Sequence, residues 1–120
     1  MRTWSVHDEA VTADEVTTKP FVKYDKDKPE LNYLIDTPLI LEEIVRVRKF
    51  GGDKYGRLNW HQCPNPERYI AAALRHIIAN GDNGLTPDDE SGYSHISHAI
   101  CSLMFYAELQ KRKLNNKKEG

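Results

Sequence analysis

The stretch DDESGYSHISHA, residues 88–99, places three acids and two histidines directly before an apolar run that ends near Leu109. His95 and His98 stand at i and i+3, so on a helix they share a face. Imidazoles at that spacing, beside Asp88, Asp89 and Glu90, have the donor types of a divalent-metal site. Either histidine alone is more often a satisfied core residue. The pair gains meaning if a carboxylate from another element converges on it, and Glu43 is the candidate. At about 100° per residue, Leu39, Ile40, Val47 and Phe50 fall within about 60° of Glu43, which sets a carboxylate inside an apolar stripe. Removing that charge from water without a partner costs several kcal/mol, a large share of a typical stability of about 5 to 15 kcal/mol. Glu43 therefore requires a cation, a hydrogen-bond donor or a wet cleft, which sets a structural pair with an arginine such as Arg75 against a metal or catalytic role. Glu42 lies with Arg46 and Lys49 on the neighbouring polar side, from which it could reach the same site at its edge.

Three helices are expected to carry these groups. Thr37-Pro38 reads as an N-cap with proline at the first helical position, and Phe50-Gly51-Gly52 reads as the end of helix one. Asn65-Pro66-Glu67 opens helix two, which runs to Asn80-Gly81. It carries His76 beside Tyr69, Ala72 and Ala73, and a basic row, Arg68 and Arg75, that suits either phosphate or surface salt bridges. Helix three is expected from Ser91 or Gly92 to about Lys111. There His95, Ala99, Ser102 and Tyr106 line up with His98 to one side, and Ile96, Ile100, Leu103, Met104 and Ala107 form the packing face. The segment FGGDKYGRLNW, from Phe50 to Trp60, reads as a loop. It offers aromatic planes for a base in Tyr55 and Trp60, and cations and backbone N–H groups for phosphates. The pattern GxxxxGK[ST] is absent, which excludes a P-loop.

With no convincing strand pattern, the fold class is all-α. The expected organisation is an extended N-terminal arm over residues 1–36, a helical catalytic domain over 37–111 and a basic tail, KRKLNNKKEG, whose residues 112–120 are a solvated end. The 17 Lys and Arg against 18 Asp and Glu leave a formal net charge of −1, which argues against nucleic acid as a partner. No stretch approaches the roughly 18 apolar residues of a membrane span. Two cysteines without a CxxC fit a reducing cytosol, so a cytoplasmic location is expected.

Taken together, KYDKDKPEL, LEEIVRVRKFGGDKYGRLNW, AAALRHIIANGDN and DDESGYSHISHAICSLMFYAEL resemble the dATP/dGTP diphosphohydrolase domain common in bacteriophage genomes, over about residues 23–109. That family is similar to the MazG-like all-α NTP pyrophosphohydrolases. The resemblance implies a small helical bundle that uses Mg²⁺, with Mn²⁺ or another divalent ion as the alternative. The reaction implied converts a purine (deoxy)nucleoside triphosphate, dGTP or dATP, to the monophosphate and pyrophosphate. It implies Glu43, His76, Glu90 and His95 as catalytic residues, with Glu42, Glu43, Asp88, Glu90, His95 and His98 as the metal-ligand set. Lys54, Tyr55, Asn59 and Trp60 match the KYG-x-x-NW pattern and, with Arg75, are expected to bind substrate. The chain departs from the E-E-x-x-E and E-x-x-D motifs of MazG enzymes: Glu42-Glu43 is followed by Arg46, and Glu90-Ser91-Gly92-Tyr93 stands in the second place.

Two other readings compete. An HD-type metallophosphohydrolase would explain the histidines, although the only adjacent His-Asp pair is His7-Asp8, outside the helical block. A non-catalytic nucleotide-binding or metal-binding module is the third. Helix three presents apolar or small residues almost all round, with Cys101 and Phe105 away from the Ile96, Ile100, Leu103 face. A homo-oligomer, dimer or tetramer, is therefore expected. A phage-encoded chain would act in the host cytoplasm.

Overall fold

The computed structural model describes residues 18–119, which divide after Glu30 into two units. In the first, residues 18–30 hold a turn in which Lys28 N donates to Asp25 O at 3.1 Å, and Phe21 and Tyr24 are exposed. The second unit is helical, and no strand occurs among the described residues. A short 3-10 turn, Leu31–Asp36, leads into α1 (Pro38–Tyr55), and a second, Asn59–Gln62, precedes α2 (Glu67–Asn80); α3 (His95–Glu119) follows.

Three boundaries differ from the sequence expectation. Thr37 does precede a helix-opening Pro38, but its hydroxyl donates back to Leu34 O at 3.3 Å and does not cap α1. The helix then runs straight through Gly51 and Gly52 to Tyr55. There Gly56, at φ 98°, ends it with its N–H on Gly52 O at 2.8 Å. A Cβ at Gly52 would stand in ordinary contact, 3.4 Å from the Arg57 Cα, as the chain folds back. Lys54 and Tyr55 consequently project from the last turn of a helix. On α3 the first helical residue is His95, and the helix continues to Glu119, so the basic stretch expected as a solvated end is helical.

The core is small and uses a different stripe of α3 from the one its most apolar residues suggest. Ile44 and Val47 of α1 pack on Cys101 of α3, with Ile40, Tyr93 and Ile100 at the margin. Ser94, Ser97 and Cys101 are buried at helical spacing, while Leu103, Met104 and Ala107 of the expected packing face are exposed. Leu39 is likewise 86% exposed, outside the stripe it was expected to share with Glu43. Burial pushes the Cys101 thiol up to about 11, so it is a small core residue and no nucleophile. Ala73 and Ala99, both buried, let α2 and α3 approach closely. Phe105 is half-buried, stacked on Trp60 at 4.8 Å between ring centroids and set against Tyr69 at 5.4 Å.

The connection from α2 to α3 is organised by one buried side chain. Asn80 Nδ2 donates to Gly84 O at 2.7 Å and Gly81 O at 3.2 Å, and its Oδ1 accepts from Thr86 N at 3.0 Å and Thr86 Oγ1 at 3.2 Å. Its removal would leave several of these groups without partners. Asn80→Ala is therefore expected to lower stability by about 3 kcal/mol. The change should appear as a fall in the urea midpoint with an unchanged slope. A loss below about 1 kcal/mol would mean that water replaces the amide.

Candidate functional site

Beyond Thr86 the chain makes a tight hairpin whose ends pair through Pro87 and Ser94, and Gly92 at φ 79° turns it. Asp88 accepts at both levels here: its carbonyl takes the Gly92 N–H at 2.7 Å, and its Oδ2 takes Glu90 N at 3.1 Å and Ser91 N at 2.9 Å. The carboxylate is thereby fixed in direction. Burial pushes its pKa up, but the hydrogen bonds from Ser91 and the nearby His98 and His76 outweigh this and hold it below the usual range.

Ser94 then caps α3, its Oγ accepting from Ser97 N at 3.1 Å and donating to Ser97 Oγ at 3.0 Å. Glu43 completes the cap from α1: its Oε1 accepts Ser94 N at 2.9 Å and Ser97 Oγ at 2.8 Å. This answers what holds a carboxylate in the α1 interface. Its partners are the N-terminal donors of α3, and no contact with Arg75 occurs. Hydrogen bonds from Ser94 and Ser97 hold its pKa below the ordinary carboxylate value.

That bracing sets the histidines. His95 Nδ1 lies 2.9 Å from Nδ1 of His76 on α2, and the His76 ring stacks on His98 at 4.7 Å between centroids and 15° between planes. His98 Nε2 meets Ser91 Oγ at 2.6 Å and stands 3.9 Å from Asp88 Oδ2. Burial favours the neutral rings of His76 and His98. For His76 the neighbouring histidines act the same way, whereas for His98 the Asp88 carboxylate opposes the shift. One donor atom each from His76, Asp88 and His95 lie within 4.8 Å of one another, which makes this the one such metal-compatible group of three among the described residues.

The group borders a cleft of about 1320 Å³, to whose lining His76, Asp88, His98 and Glu90 contribute. Lys54, from the end of α1, forms an ion pair with Glu90. Arg57, Arg68 and Arg75 line the same cleft, and among the described residues none has a carboxylate partner. Asn59 and Tyr55 also border it, and the Tyr55 ring is exposed with Lys54 Nζ 5.0 Å from its centroid. Trp60 borders the cleft as well, and there Phe105 stacks on it and the Arg112 guanidinium lies 5.2 Å from its ring centre. Its indole N–H is buried without a partner.

The sequence-selected residues thus divide. His76, Asp88 and His95 converge; His98 and Glu90 adjoin them; Glu43 supports the N-terminus of α3 from outside the group of three. Glu42 is exposed and paired with Arg46 at 2.7 Å, one turn along α1. His7-Asp8 lies outside the described residues. Ser91, Ser94, Ser97 and Asn80 were not singled out, although a serine at 94 followed by another three positions on is a readable cap signal.

Residues 18–119 match the family described as dATP/dGTP diphosphohydrolase, N-terminal. The chain belongs to this family. It is also 42% identical over 84 residues to a protein of Salmonella phage PMBT28 named dATP/dGTP diphosphohydrolase, a stretch covering 70% of this chain and 28% of that relative. The chain thus spans less than a third of the length of the curated relative it matches. No solved structure matches it.

Proposed function

We propose that the domain hydrolyses a purine deoxynucleoside triphosphate, dGTP or dATP, to the monophosphate and pyrophosphate with the help of a divalent cation. The carrying observation is that arginines without carboxylate partners, Arg57, Arg68 and Arg75 among them, line the same cleft as His76 and Asp88 of the metal-compatible group. Cations without carboxylate partners in the cleft that borders a metal-compatible centre complement a polyphosphate, which carries several negative charges and is held by both. The name of the phage relative supports the substrate class.

The donors fit a divalent ion, since two imidazoles and one carboxylate are ordinary protein ligands within bridging reach. When bound, such an ion supplies Lewis acidity toward a phosphoryl oxygen. The remaining work falls to the chain. Arg57, Arg68 and Arg75 would hold the phosphates, and Lys54 would turn from Glu90 to the leaving pyrophosphate. Glu90, released from that pair, would accept the proton of the attacking water as the bond from water oxygen to the α-phosphorus forms and the bond to the bridging oxygen breaks. The exposed Tyr55 ring would supply a plane for the base.

Product analysis tests the reading. Purified protein incubated with dGTP or dATP and a divalent metal is expected to release pyrophosphate and the monophosphate in equal amounts. Triphosphate or inorganic phosphate as the product would indicate another bond, and no turnover with any metal would leave a binding module. We also propose a homo-oligomer, because Leu74, Ile77 and Ile78 on α2 and Leu103 and Met104 on α3 are exposed apolar side chains. Light scattering is expected to give a dimer or tetramer that Ile78→Glu dissociates; a monomer mass would overturn this.

A further inference from the structure

We infer that His76, Asp88 and His95 form a three-ligand site for a transition-metal dication of the Mn²⁺, Co²⁺ or Zn²⁺ class, and that Mg²⁺ is not its resident ion. This deepens the proposed function by naming the class of cofactor, but it stands on geometry that does not depend on the substrate. Two ligand atoms each about 2.1 Å from one ion, at a right angle, are about 3 Å apart. The Nδ1 atoms of His76 and His95 are 2.9 Å apart. Without an ion this contact is an N–H···N hydrogen bond between two rings; an ion bound to both nitrogens would sit off the line that joins them, with each ring turned toward it.

The third ligand is set as firmly. Asp88 is oriented through its Oδ2 by the backbone N–H groups of Glu90 and Ser91, and one of its oxygens lies within 4.8 Å of the histidine donor atoms. Carboxylates oriented by such bonds are a recurrent support of metal sites. His98 plays a different part. Stacked parallel on His76 and bonded to Ser91 Oγ, it fixes the His76 ring and the hairpin that carries Asp88. It is a positioning residue.

The donor set decides the class of ion. Mg²⁺ keeps an octahedron of oxygens and most of its water, whereas imidazole nitrogen favours the borderline transition ions. Two nitrogens and one carboxylate oxygen also leave positions open for a water or a phosphoryl oxygen, as catalytic three-ligand sites do.

The test is metal binding by the full chain, stripped with a chelator and confirmed as folded by circular dichroism. Titration with Co²⁺ is expected to give visible d–d absorption that saturates at one equivalent per chain. Calorimetry should show Zn²⁺ or Co²⁺ binding at least about 100-fold more tightly than Mg²⁺. His95→Ala should weaken Co²⁺ binding by about 100-fold or more, and His98→Ala by no more than about tenfold. Should His95→Ala fail to fold, the wild-type chain still decides, because Zn²⁺ must shift the ring NMR signals of His76 and His95. Absent Co²⁺ absorption, equal affinity for Mg²⁺, unmoved histidine signals or undiminished binding by folded His95→Ala would each overturn the site. Pyrophosphate release is measured separately. Tight Co²⁺ binding without turnover would reject the proposed reaction and keep the site; turnover with Mg²⁺ and no Co²⁺ binding would do the reverse.

Discussion

Asp88→Asn is expected to lower pyrophosphate release by at least about a thousandfold, equivalent to about 4 kcal/mol in the barrier, while the fold survives. Asparagine preserves the shape and keeps an oxygen that can accept the N–H groups of Glu90 and Ser91. What it loses is the negative charge and the second oxygen, on which the chemistry of the group of three depends. Steady-state rates at saturating metal, set beside a thermal melt of the same sample, separate the two effects. A variant retaining more than about a tenth of the rate would remove Asp88 from the reaction, and a melt shifted by many degrees would make it a loop-forming residue instead.

Glu43→Ala is expected to lower stability by about 2 to 3 kcal/mol at neutral pH, because it strips two hydrogen bonds from the N-terminus of α3 and leaves the Ser94 N–H without a partner. Glu43→Gln, which can still accept, should lose less. The pH dependence distinguishes a charge effect from one of shape. The folded pKa of Glu43 lies below the ordinary value of 4.5, so its stabilisation is complete above that value and is lost as the pH falls through the folded pKa. The stability gap between wild type and Glu43→Gln should therefore be largest near neutrality and close in acid. Urea unfolding at a series of pH values measures it. A gap that is absent at pH 7, with turnover abolished all the same, would return Glu43 to the chemistry and take away its bracing role.

Much of the fold was legible because helix signals are local. Pro38 and the Asn65-Pro66-Glu67 start placed two helices, and the His95, His98 spacing put both imidazoles at the mouth of the third. The misreadings arose where the surrounding chain outweighs a local signal. Gly51-Gly52 looks like a stop because glycine disfavours helix, yet the helix runs through both and ends where Gly56 takes φ 98°. The buried stripe of α3 was misplaced because two serines occupy it, and serine reads as polar until Glu43 is known to face it. Trp60 matched a substrate-binding pattern and does border the cleft, but its contacts with Phe105 and Arg112, far along the chain, were not legible from that pattern. Periodicity could not show that His76 and His95 meet, since that depends on Ala73 and Ala99 letting the helices close.

The loop tied together by Asn80 bears on the order of folding. His76, Asp88, His95 and His98 all belong to one helix–hairpin–helix segment, and α2 and α3 make the most extensive contact of any pair of elements. Closing a short, prearranged connection loses little chain entropy, and local contacts form fast. The histidines and Asp88 should thus meet before α1 arrives, and Glu43 should dock last as a latch on a helical hairpin already closed. Pulsed hydrogen exchange during refolding would show this as amide protection in α2 and α3 preceding that in α1; simultaneous protection of all three would mean that the centre assembles only with the whole domain.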